Sequence, residues 1–498
     1  MFTLPPDDAL RARRVDRLRR FLRRAGAVLL ALLLNACSVG PNFSRPPPPK
    51  VSQFVHGDAL HSSLAAAGSV QTFSAQTAVP ADWWTRFGSL AIDSAVDEAL
   101  TGNATIESAQ AALRQSDDEM RAGAGVFFPQ VDAGFGASRQ KYSTARVGGS
   151  QPSTLFNLFT LSASISYAVD IWGGHRRMVE ALWARADAQR YTVLATYLTL
   201  TANVVNAMIA RAAYRDQIAA TREMIDLLRE QIRITQAQVE AGASAYAAVL
   251  TLENELATLE ASVPALDQKR AQAEDLLASL CGMLPADWRA PELSLADIAL
   301  PPTLPDTVPA LLVQQRPDIL QAEAALHVAS ADIGVATANL LPGITLSASG
   351  GYDSTSMGAL LHRSGQVWAV AADVTAPVFH GGTLWFQRQA ALDAYSQTRA
   401  SYRQVVLNAF AQVADTLRAL ENDALALEAQ TRARDAAAEA LRLIKADYSA
   451  GTVGYLQILI ADSQFHQARI AWLQGVAQRL QDTVALYAAL GGGWDSPQ

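Results

Sequence analysis

Residues 155–174 read LFNLFTLSASISYAVDIWGG. Taken alternately they separate into two sets. Leu155, Asn157, Phe159, Leu161, Ala163, Ile165, Tyr167, Val169 and Ile171 are mostly large and apolar. Phe156, Leu158, Thr160, Ser162, Ser164, Ser166, Ala168 and Asp170 turn small and polar after the first two. A period of two belongs to a strand with one apolar face and one wet face. Trp172-Gly173-Gly174 breaks the pattern, and a proline-free run rich in Ala, Leu, Arg, Gln and Glu extends from His175 to Ala241. That run predicts a single helix, roughly 100 Å long at about 1.5 Å per residue. A half-apolar strand feeding a helix longer than any globular core needs is an uncommon pairing.

Working outward, the pairing occurs twice. Ala111-Ala112-Leu113 matches Ala324-Ala325-Leu326, and Phe128-Pro129 matches Leu341-Pro342, both at an offset of 213. Trp172-Gly173-Gly174 matches His380-Gly381-Gly382 at 208, Ala241-Gly242 matches Ala450-Gly451 at 209, and Leu280-Cys281-Gly282 matches Leu490-Gly491-Gly492 at 210. Chance matches would scatter, so two copies of one unit are expected. The first, 104–281, holds a helix, strands at about 128–140 and 155–171, a long helix 175–241 and a return helix 244–281. Pro264 is expected to bend or break that return helix. The second, 316–490, holds a helix, strands at about 343–353 and 366–378, a long helix 383–450 and a return helix 453–490. A proline-rich connector, 282–315, joins them, and 491–498 is a tail. Ahead of the first copy, Pro46 to Pro49 mark an extended tether and 50–80 reads as loop, partly ordered against another part of the protein. After it, Asp82-Trp83-Trp84 introduces Phe87, Leu90, Ile92, Val96 and Leu100 at helical spacing.

The N-terminus reads as a targeting segment. Eight arginines lie between Arg11 and Arg24, followed by the ten-residue apolar run Ala25–Leu34 and Leu34-Asn35-Ala36-Cys37. A positive region, a short apolar region and a small residue before the cut describe a secretory signal over residues 1–36. Cysteine at that point resembles a bacterial lipobox, which makes Cys37 the lipid attachment residue of a tether and equatorial segment, 37–103. Residues 1–36 carry eight arginines against three aspartates, a net of +5; the whole chain is −7, which leaves about −12 for the rest. An acidic mature chain argues against nucleic-acid binding. With Cys37 lipidated, Cys281 has no disulfide partner and is expected to pack as a small apolar residue. No other segment reads as the roughly 20 apolar residues of a spanning helix, so any crossing is expected to use strands.

Four strands cannot close a barrel, since such barrels start at about eight. An open sheet in lipid leaves backbone groups unpaired at several kcal/mol each. The barrel must therefore be shared, giving eight strands from two copies or twelve from three. The many alanines, which allow helices to pack closely in a curved wall, favour the larger ring. The small polar set is predicted to face the lumen and the large apolar set the lipid.

These features together identify a resemblance. The lipobox with Val39-Gly40-Pro41-Asn42-Phe43 after it, Asp82-Trp83-Trp84, the doubled strand entries and the Ala-Gly turns resemble the outer-membrane factor family of TolC-like channels, in its lipoprotein branch. The resemblance covers essentially the whole mature chain. It implies a mainly α protein with a membrane β-barrel: a homotrimer sharing 12 strands in the outer membrane, with helical hairpins forming a periplasmic tunnel. It also implies an equatorial belt around that tunnel and work as the exit duct of a tripartite efflux pump. The partners so implied are a periplasmic adaptor, an inner-membrane transporter and outer-membrane lipid.

Candidate functional residues lie at the helix tips. Gly242 and Ala243 at the first tip, and Gly451, Thr452, Val453 and Gly454 at the second, are candidates for adaptor docking. By the resemblance, Leu456 matches an apolar gate position, while positions often acidic in the family fall at Gln457 and Ile460 here. Asp462 is the nearest acid, about 200° round the helix from Ile460, and could equally pair with a neighbouring helix. No enzymatic chemistry is expected: the seven histidines show no paired metal spacing, Cys281 has no cysteine partner, and Gly491-Gly492-Gly493 lacks the sequel of a phosphate loop. No cofactor or metal is called for. Two other readings stay open: the duct of a type I protein secretion system, and a periplasmic structural or adaptor lipoprotein. The second leaves the duplicated strands unexplained.

Overall fold

A computed structural model describes residues 38–51, 53–55, 70–74, 79–142, 153–305 and 309–492. In chain order the elements are β1 (Thr72–Ser74), a 3-10 turn (Trp83–Phe87), α1 (Leu90–Gly102), α2 (Ala104–Ala124), β2 (Gln130–Tyr142), β3 (Thr154–Val169), α3 (Gly174–Glu240) and α4 (Tyr246–Leu280). Then come β4 (Thr303–Pro305), α5 (Pro309–Gln315), α6 (Pro317–Ala338), β5 (Gly343–Ser354), β6 (Gln366–Thr375), α7 (Thr383–Ser449) and α8 (Tyr455–Ala489). The order helix, strand, strand, long helix, return helix occurs twice. Both long helices have 67 residues and both return helices 35. The signal segment and Cys37 lie outside the described residues.

The chain divides into two compact units. Of the described residues, the first comprises 38–45, 115–142, 153–187 and 324–400; the second comprises 46–51, 53–55, 70–74, 79–114, 188–305, 309–323 and 401–492.

The first unit is built on an antiparallel sheet in the order β2-β3-β5-β6. Its register makes the alternation of the sequence coherent across all four strands. Ile165 lies opposite Val131 on one side and Ala348 on the other, and Ala348 lies opposite Val370. The neighbouring row runs Asp132, Ser164, Ser349 and Ala369. One face therefore carries Val131, Phe135, Leu161, Ile165, Leu346, Trp368, Val370 and Val374, and the opposite face carries most of the serines and glycines, with Phe156, Leu158 and Val367 among them. A one-residue slip would mix the two faces, so the pattern holds the register. Within the described residues, β2 pairs only with β3 and β6 only with β5, which leaves both edges of the sheet without a strand. The large residues of the apolar face are exposed: Val131 at 67%, Trp368 at 76% and Val370 at 73%.

The second unit is helical. Its main core joins Trp83, Trp84 and Phe87 of the 3-10 turn, Ile92 and Val96 of α1, Val204, Val205, Met208 and Ile209 of α3, Leu277 of α4, and Leu480 and Val484 of α8. Trp83 stacks on Tyr487 at 5.3 Å. Cys281 caps α4 fully buried, with burial pushing its thiol up to about 12. It is an apolar filler, inert as a nucleophile.

The order expected within part of 50–80 is β1, which pairs in parallel with β4 of the connector, Thr72 opposite Thr303. Three expectations need correction. Phe87 does not continue into α1: Gly88 at φ 61° ends the 3-10 turn and a new helix starts at Leu90. Pro264 does not break α4, which runs through it. Pro264 is exposed, so the carbonyl it leaves unbonded is on the wet side, where water can replace the lost donor. Finally, one window of α3 is long and apolar enough to span a membrane. Its apolar residues include Val204, Val205, Met208 and Ile209 of the core just described, which accounts for the composition.

Candidate functional site

The two hairpin tips are built alike. At the first, the N–H of Gly242 donates to Val239 O (2.9 Å) and that of Ala243 to Gln238 O (2.8 Å). At the second, Gly451 donates to Tyr448 O (2.9 Å) and Thr452 to Asp447 O (3.0 Å). This paired closure satisfies the last carbonyls of a helix and needs a left-handed residue after it. Gly242 has φ 74° and Gly451 φ 75°. A Cβ at either would meet nothing within 4 Å, so conformation alone requires glycine there. The second tip is tied more firmly, because Thr452 Oγ1 also donates to Asp447 O at 2.9 Å. Ala243, Thr452 and Gly454 are exposed and Val453 half-buried.

Beyond the second tip, α8 sorts its residues by face. Ile458 and Ala461 pack with Leu441 of α7, while Leu459 packs with Met224, Leu228 and Ile232 of α3 and with Val249 and Leu252 of α4. Leu456 is 61% and Ile460 49% exposed, and Gln457 is exposed beside them. Gln464 and Gln467 continue this stripe as exposed residues at helical spacing. It begins apolar and goes on as neutral hydrogen-bonding groups.

Asp462 does not belong to the stripe. It is 7% exposed, and its carboxylate meets Lys445 Nζ of α7 at 3.3 Å. Asp462 therefore joins two helices of one hairpin, and its carboxylate is withdrawn from the exposed stripe.

A second buried acid on α8 went unread in the sequence. Asp482 is 6% exposed and takes a hydrogen bond from Gln478 Nε2 at 2.9 Å. Its Oδ2 has no donor. Burial, then the neighbouring Asp423 carboxyl of α7, pushes its carboxyl up to about 7. Beside it, Arg479 is buried and donates to the Leu420 carbonyl.

In the first unit the residues after Cys37 are docked, and that was also unread. The N–H of Val39 donates to Trp172 O at 2.9 Å, and Ser38 lies against Gly173. Arg177, 4% exposed, gathers the segment: Nε donates to Val39 O (3.3 Å), Nη2 to Asn42 Oδ1 (2.6 Å) and Nη1 to Glu180 (2.7 Å). Glu180 also meets His327 Nε2 at 2.8 Å, and Phe43 stacks on that imidazole at 4.3 Å. Burial would raise the Glu180 carboxyl, but the hydrogen bonds from His327 and Arg177 outweigh it and hold the group below its ordinary value. Gly40, at φ 87°, brings the tether backbone onto Gly334 of α6, where a Cβ would come within 2.5 Å. The motif Val39-Gly40-Pro41-Asn42-Phe43 was visible in the sequence. Its receptor, Arg177 with Glu180 and His327, lies more than a hundred residues away and carries no local signal.

Among the described residues no group of three or more His, Cys, Asp or Glu could hold a metal ion. His56 and His61 lie outside the described residues.

Comparison with known proteins meets this geometry. The family model described as outer membrane efflux protein matches residues 95–283 and 308–492. The pyoverdine export outer membrane protein OpmQ of Pseudomonas aeruginosa is 29% identical over 482 residues, covering 95% of this chain and 98% of that one. The cation efflux system protein CusC of Escherichia coli is 28% identical over 479 residues, covering 93% and 97%. Among solved structures, the outer-membrane channel OprN superposes with a TM-score of 0.82 at 25% identity, covering 92% of this chain and 100% of that one. These relatives bear the names of export and channel proteins, not of enzymes. The chain belongs to the outer membrane efflux protein family and is the outer-membrane duct of an efflux pump.

Proposed function

We propose that three copies of this chain close a 12-stranded barrel in the outer membrane, and that their helices form a gated periplasmic tunnel through which small toxic solutes leave the cell. The observation that carries this reading is the sheet: one largely apolar face, one largely small and polar face and, among the described residues, two edges without a partner strand. In lipid such edges must be paired by further strands. The apolar face then meets lipid, and the serines and glycines line the passage. Helix α7 supports assembly as well, since Leu407, Leu425 and Leu443 are exposed at intervals that return to one face of the helix.

Leu456 and Ile460 are assigned as the constriction at the tunnel entrance, with Gln457 beside them. The ring is apolar and neutral, and Asp462 acts as a strut behind it. The exposed tips at Gly242–Ala243 and Gly451–Gly454 are assigned to the periplasmic adaptor, which joins the duct to an inner-membrane transporter. Cys37 carries the lipid anchor. The stripe of glutamines offers neutral hydrogen bonding and no pocket for one cargo, so cargo choice is assigned to the transporter.

Native mass spectrometry of the purified protein in mild detergent should give a trimer, and planar bilayers should show low, gated conductance. A monodisperse monomer that does not conduct would overturn this reading.

A further inference from the structure

We propose that Arg139 and Lys141 form a recognition site for the phosphate groups of the glycolipid in the outer leaflet, on the lipid-facing side of the sheet. The proposal rests on the barrel reading above. Its starting observation is a separation of charge. The strands of this sheet hold three acids, Asp132, Asp353 and Asp373, and two cations, Arg139 and Lys141. Asp132 lies opposite Ser164, Asp353 opposite Thr160 and Asp373 opposite Thr345, so all three acids are on the polar face. Arg139 lies opposite Asn157 and Lys141 opposite Leu155, so both cations are on the apolar face.

A cation on the lipid face is costly at the middle of the membrane and nearly free at its boundary. Val131, Ala133, Phe135 and Ala137 precede Arg139 on the same face. Counting from Val131, Arg139 is the ninth residue, and a tilted strand takes about 9–11 residues to cross. Arg139 and Lys141 therefore stand at one boundary. The opposite end of the sheet identifies which one. There the tether docks, with Val39 bonded to Trp172 just after β3. A lipid attached to Cys37 enters the periplasmic leaflet, so the two cations stand at the outer leaflet.

Both side chains are exposed, and neither has a hydrogen-bond or ion-pair partner among the described residues. Residues two apart on one strand face are about 7 Å from each other, a spacing that lets an arginine fork and a lysine ammonium share one phosphate. Directly inboard, Phe159 lies opposite Ala137, and next Leu161 lies opposite Phe135, which together offer apolar surface to acyl chains. A phosphate carried on a lipid satisfies both features; free phosphate uses only the first.

The test uses the full-length protein, delipidated in mild detergent and followed by native mass spectrometry. The probes are lipid A with both phosphates and the same lipid A with its phosphates removed. The expected result is at least tenfold tighter binding of the phosphorylated form, a preference lost in R139Q/K141Q while that variant stays trimeric. Equal binding of the two lipids by the wild-type trimer overturns the site and leaves the channel standing. An unchanged preference in the double variant overturns it too, as does displacement of the lipid by millimolar inorganic phosphate. A wild-type monomer that keeps the preference overturns the shared barrel and leaves the lipid site standing.

Discussion

Helices α3 and α7 have the same length and end in the same turn, yet they are buried differently. Around its middle, α3 is covered over most of its circumference: Thr201, Ala202, Val204, Val205, Ala207, Met208, Ile209, Arg211, Ala212 and Ala213 are all buried, while Asn203 is exposed. The Trp83–Phe87 turn, α1 and the residues after α4 wrap it. Helix α7 buries a single seam, Tyr402, Val406, Ala409, Val413, Thr416, Leu420, Ala424 and Leu427, in steps of three or four. That is the spacing of a coiled-coil seam; Tyr402, Val406 and Ala409 pack against Val313 and Ile319, and Val413 and Leu420 against Leu312 and Leu486. The difference teaches that duplication of a unit need not duplicate its surroundings. One long helix is finished within its own chain; the other keeps a side free.

The strongest way to break this comparison is a charge on each helix. Val205 has 0% exposure, and Val205→Asp should cost more than about 4 kcal/mol, the range of an unpaired charge in a core. Leu425→Asp, at a position 46% exposed, should leave helix content and melting nearly unchanged while lowering the trimer fraction. Thermal denaturation followed by circular dichroism, with native mass spectrometry, measures both. Equal loss of melting temperature in the two variants would erase the distinction.

The seam of α7 is sharpened by pH. Asp482 has its carboxyl raised from 3.8 to about 7 in the folded chain. Between those values the folded state holds a proton that the unfolded state has released. Stability should therefore fall as pH rises from about 4 to about 7, by at most ~1.4 kcal/mol per pH unit, and then level off. Asp482→Asn should flatten that slope. Denaturant titrations at intervals of pH check it, and a slope that survives the substitution assigns the effect elsewhere.

The tips are where the two hairpins agree. Gly242→Ala and Gly451→Ala should each cost about 1–2 kcal/mol, the penalty of a left-handed L-residue, and by similar amounts. A marked inequality in chemical denaturation would mean that the Thr452 hydrogen bond carries more of the turn than the glycine does. The smallest effect on stability belongs to Leu456→Ala with Ile460→Ala. Both side chains are exposed in the chain, so melting should move by less than about 0.5 kcal/mol in equivalent free energy. Single-channel conductance should nevertheless rise; unchanged conductance would move the constriction away from these residues.

Much of the fold was legible because it is periodic or punctuated. The alternation through Leu155–Ile171 marked β3 and its faces, and the glycines at 173, 242, 381 and 451 marked where long helices start and stop. What escaped depends on partners distant in sequence. Three-residue β1 has no periodicity, and only Thr303–Pro305 makes it a strand. For Asp462 the sequence left a pairing with a neighbouring helix open but could not name its partner, Lys445 of α7. Arg177 escaped altogether, since its partners include both its own helical turn and the distant tether. Pro264 misled for the opposite reason: a local rule was applied where solvent removes most of its cost.

The docked tether changes what an acylated cysteine does. A flexible leader leaves a lipoprotein free to drift at the length of its leash. Here Val39 is fixed to Trp172, and two residues of chain reach at most about 7 Å. With the lipid on Cys37 and the shared barrel proposed above, the fatty chains would be a ruler more than a leash: they would set the height of the strand ends against the inner surface of the membrane before any neighbour arrives to complete the wall.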